Sequence, residues 1–213
     1  MPEQTTRWLE DGIGLIDLHF QNRPALIAAY VLPADDGLAL IEVGPGSTLE
    51  SLFDGLRKLD LDPNKPALSG SRRVRHLLVT HIHLDHAGAA GSLLERLPDA
   101  RLYVHQRGAR HMIDPSRLLA SAAQIYGGLM GPFWGEFLPC PAERVTAVSD
   151  GDRLEIGGQT LDVLYTPGHA WHHVAYHETE RNIVFAGDVA GVRIPPSPLV
   201  WPPTPPPDID IGA

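Results

Sequence analysis

Between Thr80 and His86 the chain reads Thr-His-Ile-His-Leu-Asp-His, so His81, His83, Asp85 and His86 place four metal-ligand side chains within six positions. Imidazole nitrogens and carboxylate oxygens are donors that zinc favours, and iron or manganese accept the same set. Two more stretches offer this chemistry. Thr166-Pro167-Gly168-His169 and Ala186-Gly187-Asp188 each follow an apolar run and contain a turn-forming glycine, which puts His169 and Asp188 on strand-end loops. Three such loops can converge at one edge of a sheet sandwich. His172 and His173 are weaker candidates, one expected to face solvent and the other to pack behind the ligands or in the core.

The elements that must position these residues are legible as alternating apolar runs and turn signals. Segments 14–20, 26–32 and 38–43 read as strands, separated by Asn22-Arg23-Pro24 and Asp35-Asp36-Gly37. Leu49, Leu52, Phe53, Leu56 and Leu59 recur at helical spacing, with Ser47 as the expected cap. Leu77-Leu78-Val79 is a buried strand that ends at the histidine motif, which is then expected to form a loop before a helix over 88–97. Strands follow at 101–105, 144–148, 154–156, 159–165, 173–177 and 182–185. Segment 106–141 reads as a mostly helical insertion, a partly mobile lid broken at Gly127-Gly128 and Gly131-Pro132. Strand runs with interleaved helices indicate an α/β fold with sheet packed on sheet and helices outside. No break in composition divides residues 1–213, and the expectation is a single domain with a Pro-rich tail over 195–213.

Composition narrows the function classes. A net charge of −9 argues against a nucleic-acid partner, which needs a basic footprint, and Arg72, Arg73 and Arg75 read as a solvated connector. No apolar run is long enough to cross a membrane, and the first residues lack a signal-peptide pattern, so a cytoplasmic location is expected. Cys140 is the only cysteine and reads as a packing residue. A small-molecule substrate is the expected partner; the oligomeric state is open, a dimer included.

His81-Ile82-His83-Leu84-Asp85-His86, Thr166-Pro167-Gly168-His169 and Gly187-Asp188 together resemble the motifs of metallo-β-lactamase-fold hydrolases, in a pattern similar to the glyoxalase II-like branch. The resemblance covers essentially the whole chain. It implies a four-layer αβ/βα sandwich with a metal site at one edge. It also implies that His81, His83 and His169 hold a first metal, that Asp85 and His86 belong to a second, and that Asp188 bridges them. The family supplies one more histidine near its C-terminus, whereas nothing after Asp188 here is a histidine. The expectation is a truncated form lacking the last helix and strand, with one or two zinc ions.

The implied chemistry is hydrolysis by a metal-activated hydroxide, with Asp85 orienting the nucleophile as well as binding metal. A thioester suits a site with no obvious general acid, because a thiolate leaves without strong acid assistance. A lactone or another ester is an alternative. So is a mononuclear iron centre of the sulfur dioxygenase kind, built on His81, His169 and Asp188. A third alternative is an inactive fragment.

Overall fold

The computed structural model describes residues 5–61, 73–193 and 196–204. Arg72 and the acidic end of the tail lie outside these residues. Two sheets face each other. The larger has seven strands in sequential order: β1 (Arg7–Trp8), β2 (Gly14–Asp17), β3 (Ala28–Ala34), β4 (Gly37–Ile41), β5 (Val74–Leu78), β6 (Arg101–His105) and β7 (Val145–Val148). Its first four strands are antiparallel, and from β4 onward neighbours run parallel. The smaller is an antiparallel sheet of β8 (Arg153–Ile156), β9 (Gln159–Tyr165), β10 (Val174–Glu178) and β11 (Ile183–Phe185).

Alternation along the strands divides the core in two. Ala39, Ile41 and Leu78 point from the large sheet to meet Val163, Val174 and Tyr176 of the small one. Leu38, Leu40 and Leu77 point the other way, into a layer of helices that includes α1 (Leu49–Lys58), where Leu52, Phe53 and Leu56 are buried. Strand β4 is buried on both faces, as a central strand between two layers must be. The outer face of the small sheet exposes Leu164 and Val184. Helices, large sheet and small sheet thus form three layers of the expected α/β sandwich among the described residues.

Several boundaries differ from the sequence reading for identifiable reasons. Strand β3 starts and ends two residues late and runs through Pro33. The proline is tolerated because pairing with β2 stops at Val31, so the missing N–H leaves no ladder bond unmade on that side. Strand β2 stops at Asp17, whose carboxylate turns back to accept from the N–H groups of His19 and Ala25. Helix α1 is preceded by a 3-10 turn, Gly46–Thr48, and Ser47 does not cap it. The Ser47 hydroxyl instead donates to the carbonyl of Phe133, 2.6 Å away.

That bond belongs to a wider anchor on the segment expected to be a lid. The segment contains α4 (Gln106–Ile113), α5 (Ser116–Tyr126) and a π turn over Met130–Trp134. Gln21 donates to the carbonyl of Pro132, and Phe20 stacks on Trp134 with 5.4 Å between ring centroids. The far end of the segment is therefore fastened to the N-terminal strands.

Candidate metal centre

The ends of four strands supply the site. The motif leaves β5 and turns into a short helix, α2 (Leu84–Ala87), so Asp85 and His86 sit in a helical turn and not in the expected loop. His83 is its cap residue, with its carbonyl accepting from the N–H groups of His86 and Ala87. The carbonyl of His86 in turn accepts from Val43 and Gly44, which binds the motif to the loop after β4. The continuing helix α3 spans Ala90–Arg96, shorter than the sequence indicated.

His169 arrives after β9 and Asp188 after β11. Gly187 has φ +53°, and a Cβ there would stand 2.5 Å from Thr80 Oγ1 and 2.7 Å from His173 Nε2. Only glycine permits both the conformation and the approach that bring Asp188 against the motif.

The donor atoms of His81, His83 and His169 form one group in which all lie within 4.8 Å of one another, and those of His81, His86 and Asp188 form another. His169 Nε2 is 3.2 Å from His81 Nε2 and 2.9 Å from His83 Nδ1. The two carboxylate oxygens of Asp188 divide between the groups, Oδ1 at 3.2 Å from His86 Nε2 and Oδ2 at 3.4 Å from His169 Nε2. Asp85 stands slightly apart and more open, with Oδ2 3.5 Å from His86 Nε2 and its side chain 37% exposed.

Tautomers follow from the outer partners. Glu42 follows β4 in a left-handed conformation, φ +60°, and is buried. Its carboxylate accepts the Thr80 hydroxyl proton at 2.5 Å, and at 3.3 Å faces His86 Nδ1. With that proton committed, Thr80 Oγ1 accepts from His81 Nδ1 at 3.0 Å, which leaves the lone pair on His81 Nε2. His169 Nδ1 donates to the carbonyl of Pro203 at 3.1 Å, so its Nε2 is likewise free to coordinate. Lone pairs crowded together in this way repel one another unless a cation sits among them. The donor set therefore fits a divalent ion.

Electrostatics separate the two groups. Burial, followed by the charge of His86, pushes His81 well below the ordinary histidine range. Burial with the nearby His172 and His169 lowers His83 to about 3. Burial also works against a charged His86, but the carboxylates of Asp85, Glu42 and Asp188 outweigh it and raise that pKa well above the ordinary value. Asp188 is pulled down despite its burial, chiefly by His86. Burial thus favours neutral His81 and His83, whereas His86 stands among acids.

All six residues singled out as ligands from the sequence are brought to one place. Three further contributors were missed: Glu42, Thr80 and Pro203. Neither His172 nor His173 faces solvent freely, contrary to expectation for one of them. His173 is fully buried, with Nδ1 2.8 Å from the Thr166 hydroxyl. His172 is half-buried and stacks at 6.1 Å on His81. A cavity of about 390 Å³ opens beside the ligands, with Leu118, Ile125, Tyr126 and Trp134 forming an apolar wall opposite His83 and Asp188.

Comparison with known proteins places this geometry. A sequence profile of the metallo-beta-lactamase superfamily matches residues 23–211. A metallo-beta-lactamase fold-containing protein of Sulfurisphaera tokodaii is 26% identical over 186 residues, 86% of this chain and 63% of its own length. A hydroxyacylglutathione hydrolase of Aeromonas salmonicida is 34% identical over 112 residues, 53% of this chain and 32% of the relative. This chain thus spans less than two thirds of either relative. Among solved structures, an archaeal metallo-beta-lactamase superfamily protein from Sulfolobus tokodaii superimposes with a TM-score of 0.69 at 24% identity, covering 93% of this chain and 70% of the other. A family member from Thermus thermophilus gives 0.63 at 25% identity, covering 91% and 64%. The chain, with its two sheets and its histidine- and aspartate-lined edge, belongs to the metallo-beta-lactamase superfamily.

Proposed function

We propose that the chain is a metal-dependent hydrolase acting on a thioester or a related ester, in the manner of the glyoxalase II-like branch. The observation that carries this reading is the pair of donor groups joined by Asp188, whose two carboxylate oxygens face one group each. Bound divalent ions supply a Lewis acid and lower the pKa of a coordinated water from about 15.7 to about 7.

The chain's own residues then divide the work. His81, His83 and His169 would hold one ion, and His86 and Asp188, with Asp85, would hold a second. Zinc is the first choice by donor chemistry, with iron or manganese as alternatives. Glu42 and Thr80 keep His86 and His81 in their coordinating tautomers. Asp85 is the carboxylate most open to the cleft, and it orients the attacking water by accepting its hydrogen bond. The wall of Leu118, Ile125 and Trp134 takes the apolar part of the substrate and excludes bulk water from the reacting bond. Among the described residues no helix is long and apolar enough to cross a membrane.

The test is metal analysis of the purified chain followed by a thioester and lactone panel. Zinc content with metal-dependent thiol release supports the reading. His81→Ala and Asp188→Ala should lose metal and lower activity by at least about a hundredfold, a scale set by losing electrostatic stabilisation of the transition state. Bound iron with oxygen consumption and no thiol release replaces hydrolysis with oxygenase chemistry.

A further inference from the structure

A second cavity of about 600 Å³ shares His172 with the apolar cleft and is lined also by Gln106, Arg107, Arg110, His111 and Trp171. Its charge opposes that of the chain, which carries a net −9. Arg107 and Arg110 lie three residues apart on α4 and so project from one helical face, where like charges repel. The Arg107 guanidinium is held over two aromatic rings, 5.8 Å from the centroids of both Tyr165 and Trp171. Arg110 Nε donates to His111 Nε2 at 3.1 Å. Among the described residues, neither guanidinium has a carboxylate partner at ion-pair distance.

The local field registers on the neighbouring imidazoles. Burial, then the charges of Arg110 and Arg117, lower the pKa of His111 against an opposing pull from Asp114. Burial and then Arg107 lower that of His105. The Asp114 carboxylate accepts from the N–H of Ser116 at 3.1 Å and makes no ion pair with Arg107 or Arg110.

The cavity is fixed relative to the metal centre. A Cβ on Gly108 would stand 2.7 Å from Ile82 Cγ2 and 3.6 Å from His172 Cβ, so α4 lies directly on the ligand motif between the two arginines. The His172 ring, which lines both cavities, is 5.4 Å from the ring of His83. An anion seated on the arginines is therefore separated from the ligands by one imidazole.

We propose that Arg107 and Arg110, with Trp171 as a platform, form an oxyanion subsite that binds a distal carboxylate or phosphate of the substrate. The inference rests on the hydrolase reading and deepens it: the preferred substrates are anionic esters or thioesters. Both oxyanions match the forked geometry of a guanidinium.

The experiment uses the metal-loaded full chain and three thioesters identical except for a distal carboxamide, carboxylate or phosphate. The neutral compound is the internal reference. The expected result is a kcat/KM preference of about tenfold or more for a charged compound, carried mainly by KM, as charge-assisted hydrogen bonds to arginine provide. Whichever charged compound shows the larger preference identifies the oxyanion. In Arg107→Ala/Arg110→Ala the preference should collapse toward unity, and Arg107→Lys/Arg110→Lys should restore part of it, because an ammonium keeps the charge but loses the fork. A preference unchanged in the alanine variant overturns the subsite.

A second readout is independent of turnover. Ethanesulfonate, an anion that coordinates metals weakly, is titrated at constant ionic strength while the Trp171 indole N–H is followed by NMR. A saturable shift that disappears in the alanine variant supports the site, and a shift that persists there overturns it. If none of the thioesters is hydrolysed while the indole shift saturates, the hydrolase reading fails and the anion site stands.

Discussion

The Thr80 hydroxyl donates to the buried carboxylate of Glu42 at 2.5 Å, and the same carboxylate oxygen faces His86 Nδ1 at 3.3 Å, so Glu42 touches both donor groups of the candidate site. Through Thr80 it sets the tautomer of His81; through its own oxygen Glu42 faces His86 Nδ1. Removing a carboxylate that orients ligating histidines typically costs about 10–100-fold in metal affinity. Glu42→Gln should fall in that range while keeping the fold. Thr80→Val should act on the His81 side through loss of the same bond. Competitive zinc titration checks both, and an affinity within about twofold of wild type in Glu42→Gln would remove Glu42 from the ligand support.

Gly187 makes a sharper structural prediction. Its positive φ and its closeness to Thr80 Oγ1 and His173 Nε2 leave no room for a methyl group. Gly187→Ala should destabilise the chain by about 1–3 kcal/mol, the usual scale for a residue forced into a left-handed conformation. It should also weaken metal binding, because Asp188 must move with it. Thermal denaturation with and without zinc separates the two effects. A variant as stable as wild type that binds zinc normally would mean that the loop shifts freely.

Much of the candidate site was legible because its donor residues are clustered by type. Three histidines and an aspartate in six positions, followed by His169 and Asp188 at strand ends, have few structural uses other than metal. Glu42 was not legible. A lone acid at the end of an apolar strand looks like a residue turning to solvent, and only its left-handed backbone and burial show that it turns inward. Pro203 was hidden for a different reason: a carbonyl carries no signal in its residue type, and the stretch read only as a Pro-rich tail. Strand β3 runs on through Pro33 to Ala34 because pairing with β2 stops at Val31 and the local ladder leaves the proline nitrogen unneeded.

The contact of Pro203 with His169 gives the tail segment a role that can be tested. Val192 and Trp201 exchange two main-chain hydrogen bonds of 2.8 Å, which hold the segment that carries the Pro203 carbonyl near His169 Nδ1. A chain ending at Val192 should retain the two sheets, since β11 closes at Phe185. His169 would then lose the partner that fixes its tautomer, and zinc affinity should drop by about tenfold or more. Circular dichroism checks the fold and zinc titration the affinity. Full affinity in the shortened chain would show that water replaces the carbonyl without loss.

Acid should unfold the metal-free protein through its neutral histidines. His83, His172 and His173 are each pushed down to about 3, first by burial and then by neighbouring imidazoles. In the unfolded chain they titrate near 6.5, so between about pH 6.5 and 3 the unfolded state binds more protons and stability falls as pH falls. Each such histidine contributes a slope of about 1.4 kcal/mol per pH unit within that window. His86 has the opposite sign. Its raised pKa contributes stability that is complete below about 6.5 and is lost as pH climbs through the folded value. The metal-free chain should therefore be most stable near pH 6.5, with a steeper decline on the acid side, where these three act together with His81, His105 and His111, all lowered as well. Metal binding requires His86 to be neutral as well, so zinc affinity should rise with pH beyond that optimum. Thermal melts of the chelator-treated protein between pH 4 and 9 provide the measurement. A melting temperature that is flat from pH 6.5 to 4 would contradict the neutral state of the buried imidazoles.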